Sequence, residues 1–191
     1  MVRCFGFLVL LGLAGCGGGG AASRTQSQVA SFAALHDSVV NSQITPFGQI
    51  PAGGRHTYAG QMRLNLPLGA TPSAAYYGDL TLGLDVGAAM ITATGTAGGF
   101  TTADQHTLGG ALTISGGTFL PNADPDRYFL MFADIGGRLN DGGVGYDLTG
   151  RIAADFYGPS GEGVAGLVFG DIAQGGNIDV FDGTFAAKKT P

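Results

Sequence analysis

The residue best placed for covalent chemistry is Cys16, which follows a short apolar run at the start of the chain. Met1–Arg3 is basic, and residues 5–13 form an apolar stretch far shorter than the ~20 residues that a membrane-spanning helix needs. The small residues of 14–15 then lead into the thiol of Cys16. This order of features is typical of a cleaved secretory signal, and a thiol at the cleavage point is a nucleophile that can be acylated.

The sequence Leu-Ala-Gly-Cys at 13–16 resembles a bacterial lipobox, where diacylglycerol is added to the thiol and the preceding peptide is removed. We therefore expect 1–15 to be a lipoprotein signal peptide and 16–25 to be the lipidated Cys16 followed by a flexible, glycine-rich tether. Cys4 would leave with the signal. The mature domain would then hold no disulfide and no metal site built on cysteine.

Residues that could contact a ligand without covalent chemistry are sparse. His106 lies in one expected loop, and Asn122, Asp124 and Asp126 lie together in another. The three histidines of the chain are too scattered to form a zinc site. The aspartates lack the spacing of a known calcium loop, so hydrogen bonds within a turn explain them more simply. We expect no bound cofactor or metal. Haem, with a ligand drawn from His56, His106 or Tyr76, or iron stays open as an alternative.

No motif indicates catalysis. Gly161–Gly166 has the spacing G-x-G-x-x-G, but alternation from Val164 onward predicts a strand where a dinucleotide site needs a helix. Ser160 lacks the G-x-S-x-G context of a hydrolase nucleophile. Asp147 and Asp182 are expected to face outward from strands. We therefore expect the protein not to be an enzyme.

Composition indicates many short strands. Glycine accounts for 36 of 191 residues, hydrophobic residues make up 45% of the chain, and the formal net charge is −5. An apolar, charge-poor chain is unlike a disordered one, and frequent turn residues between apolar runs favour short antiparallel strands. The acidic balance argues against nucleic acid as a partner.

One helix is expected before the strands. Apolar residues spaced along 26–41, namely Val29, Phe32, Ala33, His36, Val39 and Val40, share one helical face. Thr25 would cap its start and Pro46 would prevent its continuation. Residues 26–45 are thus expected to be an amphipathic helix and linker, with the helix covering the segment 129–133, which is apolar on both faces.

Beyond residue 54 the hydrophobic period changes from 3.6 to 2 and predicts eight strands. They are expected near 58–66, 76–86, 88–96, 108–114, 127–135, 144–156, 164–172 and 177–187. Phe156 and Phe185 are expected to point into the core, and Asp155 outward. The fold class is therefore all-β, an eight-stranded antiparallel up-and-down β-barrel with a short N-terminal α-helix. Any ligand should contact outward strand faces or the longest loops, 69–75, 97–107 and 119–126.

Two C-terminal segments carry a family resemblance. Gly150–Gly166 (GRIAADFYGPSGEGVAG) and Gly183–Lys189 (GTFAAKK) resemble the β-barrel domain of transferrin-binding protein B-like lipoproteins. The resemblance covers 55–189 and implies a barrel lipoprotein of the outer membrane. Large members of that family have two lobes with long loops, whereas this chain has one barrel, and Gly163 stands where a second acidic residue is common.

These expectations combine into one hypothesis and two alternatives. We expect a monomer anchored in the outer membrane through Cys16, on the periplasmic or the cell-surface face. It would be a non-enzymatic binding module that captures iron, haem or a host or envelope protein. One alternative is a structural envelope lipoprotein with no small ligand. The other is an integral outer-membrane barrel, which shows the same alternation.

Overall fold

The computed structural model describes residues 22–51, 53–69, 73–87, 91–120 and 129–191, with side chains from residue 28 onward. Cys16, Asn122, Asp124 and Asp126 lie outside these described residues. One helix, α1, spans Ala22–Val40, and a 3-10 turn covers Phe47–Gln49. Eight strands follow: β1 Arg55–Leu66, β2 Ala74–Val86, β3 Ile91–Thr102, β4 Gly109–Phe119, β5 Met131–Asp141, β6 Val144–Tyr157, β7 Gly163–Gln174 and β8 Asn177–Lys189.

The strands form a closed antiparallel barrel in which each strand pairs with the next along the chain. β1 also pairs with β8, which closes the sheet, and Met62 lies opposite Phe185 at this closure. The predicted fold class is confirmed. Alternate side chains of every strand point inward and are buried, and both Phe156 and Phe185 are fully buried in this core, as predicted.

Glycines at inward-facing positions allow the barrel to curve tightly. Gly166 lies between the buried Val164 and Val168, and a Cβ atom built on it would lie 1.9 Å from the backbone oxygen of Ala153. A Cβ on Gly60 would lie 2.1 Å from the backbone oxygen of Ala186. No other residue fits at such an approach, which explains part of the glycine content beyond turns.

Two β-bulges make the strands longer than predicted. The β2–β3 register shifts beside Gly98 and Gly99, and β3 continues to Thr102 although its prediction ended at 96. The β4–β5 register shifts between Ser115 and Thr118, and β4 continues to Phe119. Glycine pairs that indicate turns in a sequence act here as bulges inside strands. The predicted 97–107 loop is therefore wrong, because much of it belongs to β3.

The helix differs from its prediction in start and position. It begins at Ala22, so Thr25 lies inside it and does not cap it. α1 packs on β8, β1 and β7 and does not cover 129–133. Val39 contacts Ala165 and Ala186, two small outward-facing residues that leave room for a helix.

The side chains correct two predictions about the helix, namely which of its residues are buried and which segment of the barrel it covers. Leu35 joins the buried face, whereas Ala33 is exposed. The outer side of Phe132, which the helix was expected to cover, is instead contacted by the ring of Phe129, at 6.5 Å, and by the Arg151 guanidinium, at 5.9 Å.

Buried hydrogen bonds hold the turn between β6 and β7. The Tyr58 hydroxyl donates to the backbone oxygen of Gly161 at 2.7 Å, and burial raises the pKa of Tyr58 to about 12, so it remains a donor. The Thr45 hydroxyl donates to the backbone oxygen of Gly158, and the Thr45 backbone N–H donates to the backbone oxygen of Phe156 at 2.8 Å. These hydrogen bonds hold the segment 156–159, with the sequence Phe-Tyr-Gly-Pro, against the end of the barrel.

The close approach at Gly166 leads to a stability prediction. Gly166→Ala should lower the free energy of unfolding by about 1–3 kcal/mol, because the added methyl group would force the β6 and β7 backbones apart. Gly48→Ala is the matched control, since a Cβ there meets nothing within 4 Å. Urea unfolding of both variants measures the difference. Equal effects at the two positions would contradict the role given to inward-facing glycines.

Candidate binding surface

The interior of the barrel is filled by its own side chains. Inward residues of all eight strands are buried, and the aromatic side chains of Tyr58, Phe100, Phe156 and Phe185 are among the largest that are fully enclosed. An eight-stranded barrel has an interior only just wide enough for such filling. A ligand would therefore bind on the outer surface.

The outer face of the β7–β8 hairpin carries four exposed apolar side chains. Ile178 and Val180 are 73% and 70% exposed, and Leu167 and Phe169 are each 43% exposed. The register places Val180 opposite Asp171 and Phe169 opposite Asp182, so Val180 and Phe169 are diagonal neighbours. We call Leu167, Phe169, Val180 and Ile178 the β7–β8 stripe. Exposed apolar side chains that lie close together on one face are typical of interaction surfaces.

A groove of about 360 Å³ lies beside this stripe. Leu167 and Phe169 line it from β7, Asp182 and Thr184 from β8, and Arg63 and Asn65 from β1. The Asn65 side-chain amide donates a hydrogen bond to Asp182. Among the described residues, Arg63 has no hydrogen-bond or ion-pair partner. The groove thus combines an apolar wall with an unpaired cation.

His106 lies at an open end of the barrel, half-exposed, in the turn between β3 and β4. Its Nε2 atom is 2.8 Å from Asp141 Oδ1, at the end of β5, and its ring is 6.3 Å from the Tyr76 ring. Burial, with added repulsion from Asp141 and Tyr146, raises the pKa of Tyr76. The His106–Asp141 contact joins two neighbouring connections of the barrel, which is a structural role that the sequence did not indicate.

The structure places one other candidate haem ligand, Tyr76, beside His106, and the Tyr76 side chain is buried in the core. Asn122, Asp124 and Asp126 lie outside the described residues, so their distance from His106 is not described. His56 contacts the backbone oxygen of Pro51 at 3.2 Å, and His36 packs against Phe32. Within 22–51, 53–69, 73–87, 91–120 and 129–191, no group of three or more His, Cys, Asp or Glu side chains could hold a metal ion.

The weak sequence motifs have structural explanations. Gly161 belongs to the turn before β7, and β7 begins at Gly163, so the G-x-G-x-x-G spacing leads into a strand as predicted. Ser160 is exposed in the same turn. Asp147 faces outward and accepts hydrogen bonds from Arg138 at 3.2 Å. Within the described part of the chain, no helix is both long and apolar enough to cross a membrane.

Asp155 is a buried carboxyl group, and the prediction that it is exposed is wrong. It was predicted to face solvent, but it is only 5% exposed, and its Oδ1 atom accepts the Leu130 N–H at 3.0 Å. Burial raises the pKa of Asp155, although the Leu130 N–H partly opposes this. Burial and the Asp155 charge together raise the pKa of Tyr157. The segment at 129–130 covers this outward position, which alternation within β6 cannot reveal.

Comparisons with known proteins do not assign this chain to a family. No protein-family model matches the sequence, and no curated protein is significantly similar to it.

The burial of Asp155 predicts a pH dependence. Because its pKa is raised above the ordinary 3.8, the fold favours the protonated acid. The resulting stabilisation is fully present below pH 3.8 and is lost as pH rises through the folded-state pKa. Asp155→Asn cannot ionise, so it should gain stability relative to the parent protein as pH rises above 3.8, measured by urea unfolding. A stability difference that stays constant up to pH 8 would contradict a raised pKa of Asp155 in the fold.

Proposed function

We propose that the protein is a lipid-anchored outer-membrane lipoprotein that acts as a monomeric, non-enzymatic binding module. The β7–β8 stripe is the observation that carries this proposal. The barrel is filled by its own side chains, whereas Ile178 and Val180 are more than two-thirds exposed on the outside. Leaving such side chains in water has a free-energy cost that a bound partner would remove.

The anchor rests on the sequence around Cys16. Leu-Ala-Gly-Cys at 13–16 ends the short apolar run, and acylation of the thiol would attach the mature chain to a membrane. Gly17–Ala21 separate Cys16 from the start of α1 at Ala22. A segment of that length reaches at most about 20 Å, so the barrel would stay close to the membrane surface.

Ligand capture is the role that the family resemblance supports. Gly150–Gly166 and Gly183–Lys189 resemble transferrin-binding protein B-like lipoproteins, and on this basis we propose capture of iron, haem or a host protein. His106 would contact such a ligand only at the open end of the barrel, where half of its side chain is exposed. The alternative is a structural envelope lipoprotein, in which the stripe would bind another envelope protein and no small ligand.

The polar exterior disfavours the second alternative, an integral outer-membrane barrel. Such barrels carry an apolar band about 25 Å tall on their outer surface. Here the outward residues of β2 include the exposed Asp79, Thr81 and Asp85, while the apolar residues of that strand point inward. This arrangement is the reverse of the one that lipid requires.

Lipidation is tested directly at Cys16. Mass spectrometry of the membrane fraction should find the mature protein beginning at a lipid-modified Cys16. Cys16→Ala should leave an uncleaved or mislocalised precursor, because the acylated thiol is required for maturation at a lipobox. The anchor proposal fails if Cys16→Ala matures efficiently and is released as a soluble protein.

Solubility separates an anchored barrel from an integral one. A chain that begins at residue 17 keeps α1 and all eight strands but lacks the acylated thiol. We expect it to remain in solution without detergent, as a monomer in analytical ultracentrifugation, because its outer face is mainly polar. A requirement for detergent or lipid to keep it dispersed would favour the integral barrel.

A further inference from the structure

We infer that the groove beside the β7–β8 stripe binds a single-chain anionic amphiphile, a carboxylate of the fatty-acid type. Its head group would lie at Arg63 and its chain along Leu167, Phe169, Val180 and Ile178. The inference rests on the proposed binding function and names a ligand class for that surface.

The head-group position follows from Arg63, the one cationic side chain among the described residues that line the groove. Arg63 lies opposite Thr184 on β8, and Thr184 lies opposite Leu167 on β7, so the three residues form one row across the sheet. Among the described residues the Arg63 guanidinium has no partner, whereas Asp182 in the next row accepts a hydrogen bond from Asn65. A carboxylate is the natural partner for a free guanidinium, which can donate two parallel hydrogen bonds to it.

The chain position follows from the direction of the stripe. From the row of Arg63, outward apolar residues continue through Phe169 and Val180 to Ile178 at the tip of the hairpin. Ile178 lies six positions before Thr184 along β8, which corresponds to about 20 Å of strand. An extended acyl chain can cover apolar side chains arranged along such a line.

The remaining charges set the orientation and disfavour other occupants. Asp171 lies opposite Val180, so negative charge borders the end of the stripe that is distant from Arg63. Asp182, in the row next to Arg63, accepts a hydrogen bond from the Asn65 amide. Among the described residues that line the groove Arg63 is the only cation, so an anionic head group is favoured at Arg63 and is repelled at Asp171. A second copy of this acidic chain, or an anionic bilayer surface, would bring further negative charge against these aspartates.

Binding can be measured with sodium dodecanoate, kept below the concentration at which it forms micelles. The protein is the chain beginning at residue 17, which retains every described strand, followed by amide chemical shifts in NMR. The amide signals of 167–169 and 180–184 should shift and saturate. Dodecanoate should bind more tightly than octanoate, because a longer chain covers more of the stripe.

Matched variants separate the head-group and chain contributions. Arg63→Gln should weaken dodecanoate binding about tenfold or more, as expected for loss of a charge-assisted pair. Arg151→Gln is the control, an exposed arginine of β6 that lies near Asp134, and should leave binding unchanged. Val180→Asp should remove the advantage of dodecanoate over octanoate, whereas Val144→Asp, at an exposed position of another hairpin, should not.

Several outcomes would overturn the inference. One is that the uncharged dodecyl maltoside binds as tightly as dodecanoate. Another is that Arg63→Gln binds dodecanoate as tightly as the parent protein. A third is that the amide signals that shift lie only in other parts of the barrel. Binding to phosphatidylethanolamine vesicles without binding of free dodecanoate would assign the stripe to a bilayer surface instead. If dodecanoate does not bind, the proposal of a lipid anchor is unaffected, because the experiment at Cys16 tests it independently. The two proposals can therefore fail separately.

Discussion

Close backbone approach at inward-facing glycines is the constraint on which the rest of this structure depends. A Cβ at Gly60, Gly166 or Gly183 would lie about 2 Å from a backbone oxygen of the neighbouring strand, so these strands can close only where a side chain is missing. Large aromatic residues such as Phe156 and Phe185 then fill the narrow space that closure creates. Tight curvature and a filled interior are therefore two consequences of one pattern of glycines and aromatic residues.

A filled interior leaves the exterior as the surface that a ligand could contact, and there α1 and the β7–β8 stripe divide one face. Small residues, Ala165 and Ala186, provide the surface on which Val39 of the helix packs. One step further along the same strands, at Leu167 and Thr184, the outward side chains become larger and the groove begins. Side-chain size along β7 and β8 thus determines where the helix covers the barrel and where the apolar surface stays open.

The sequence predicts the strands well because alternation is a local property, and it predicts contacts between elements poorly. Eight strands and their inward faces follow from a period of two, but the Gly98–Gly99 bulge lies in the segment that is predicted as the loop 97–107, because glycine pairs occur in both turns and bulges. The burial of Asp155 depends on the chain at 129–130, which covers it from outside the strand. In the sequence the stripe appears only as apolar residues at outward positions of β7 and β8. The same pattern would be expected if a helix covered these positions.

The way in which the barrel closes also restricts how a partner can bind. Every strand is paired on both sides, so no free edge exists within the barrel for the addition of another strand. A partner at the stripe would therefore contact side chains, with Phe169 and Val180 supplying apolar area and Arg63 supplying charge. The aspartates beside the stripe keep exposed apolar residues from forming one uninterrupted patch, which limits non-specific association. A surface with these features favours a small or narrow partner with its negative charge at one end over a broad apolar one.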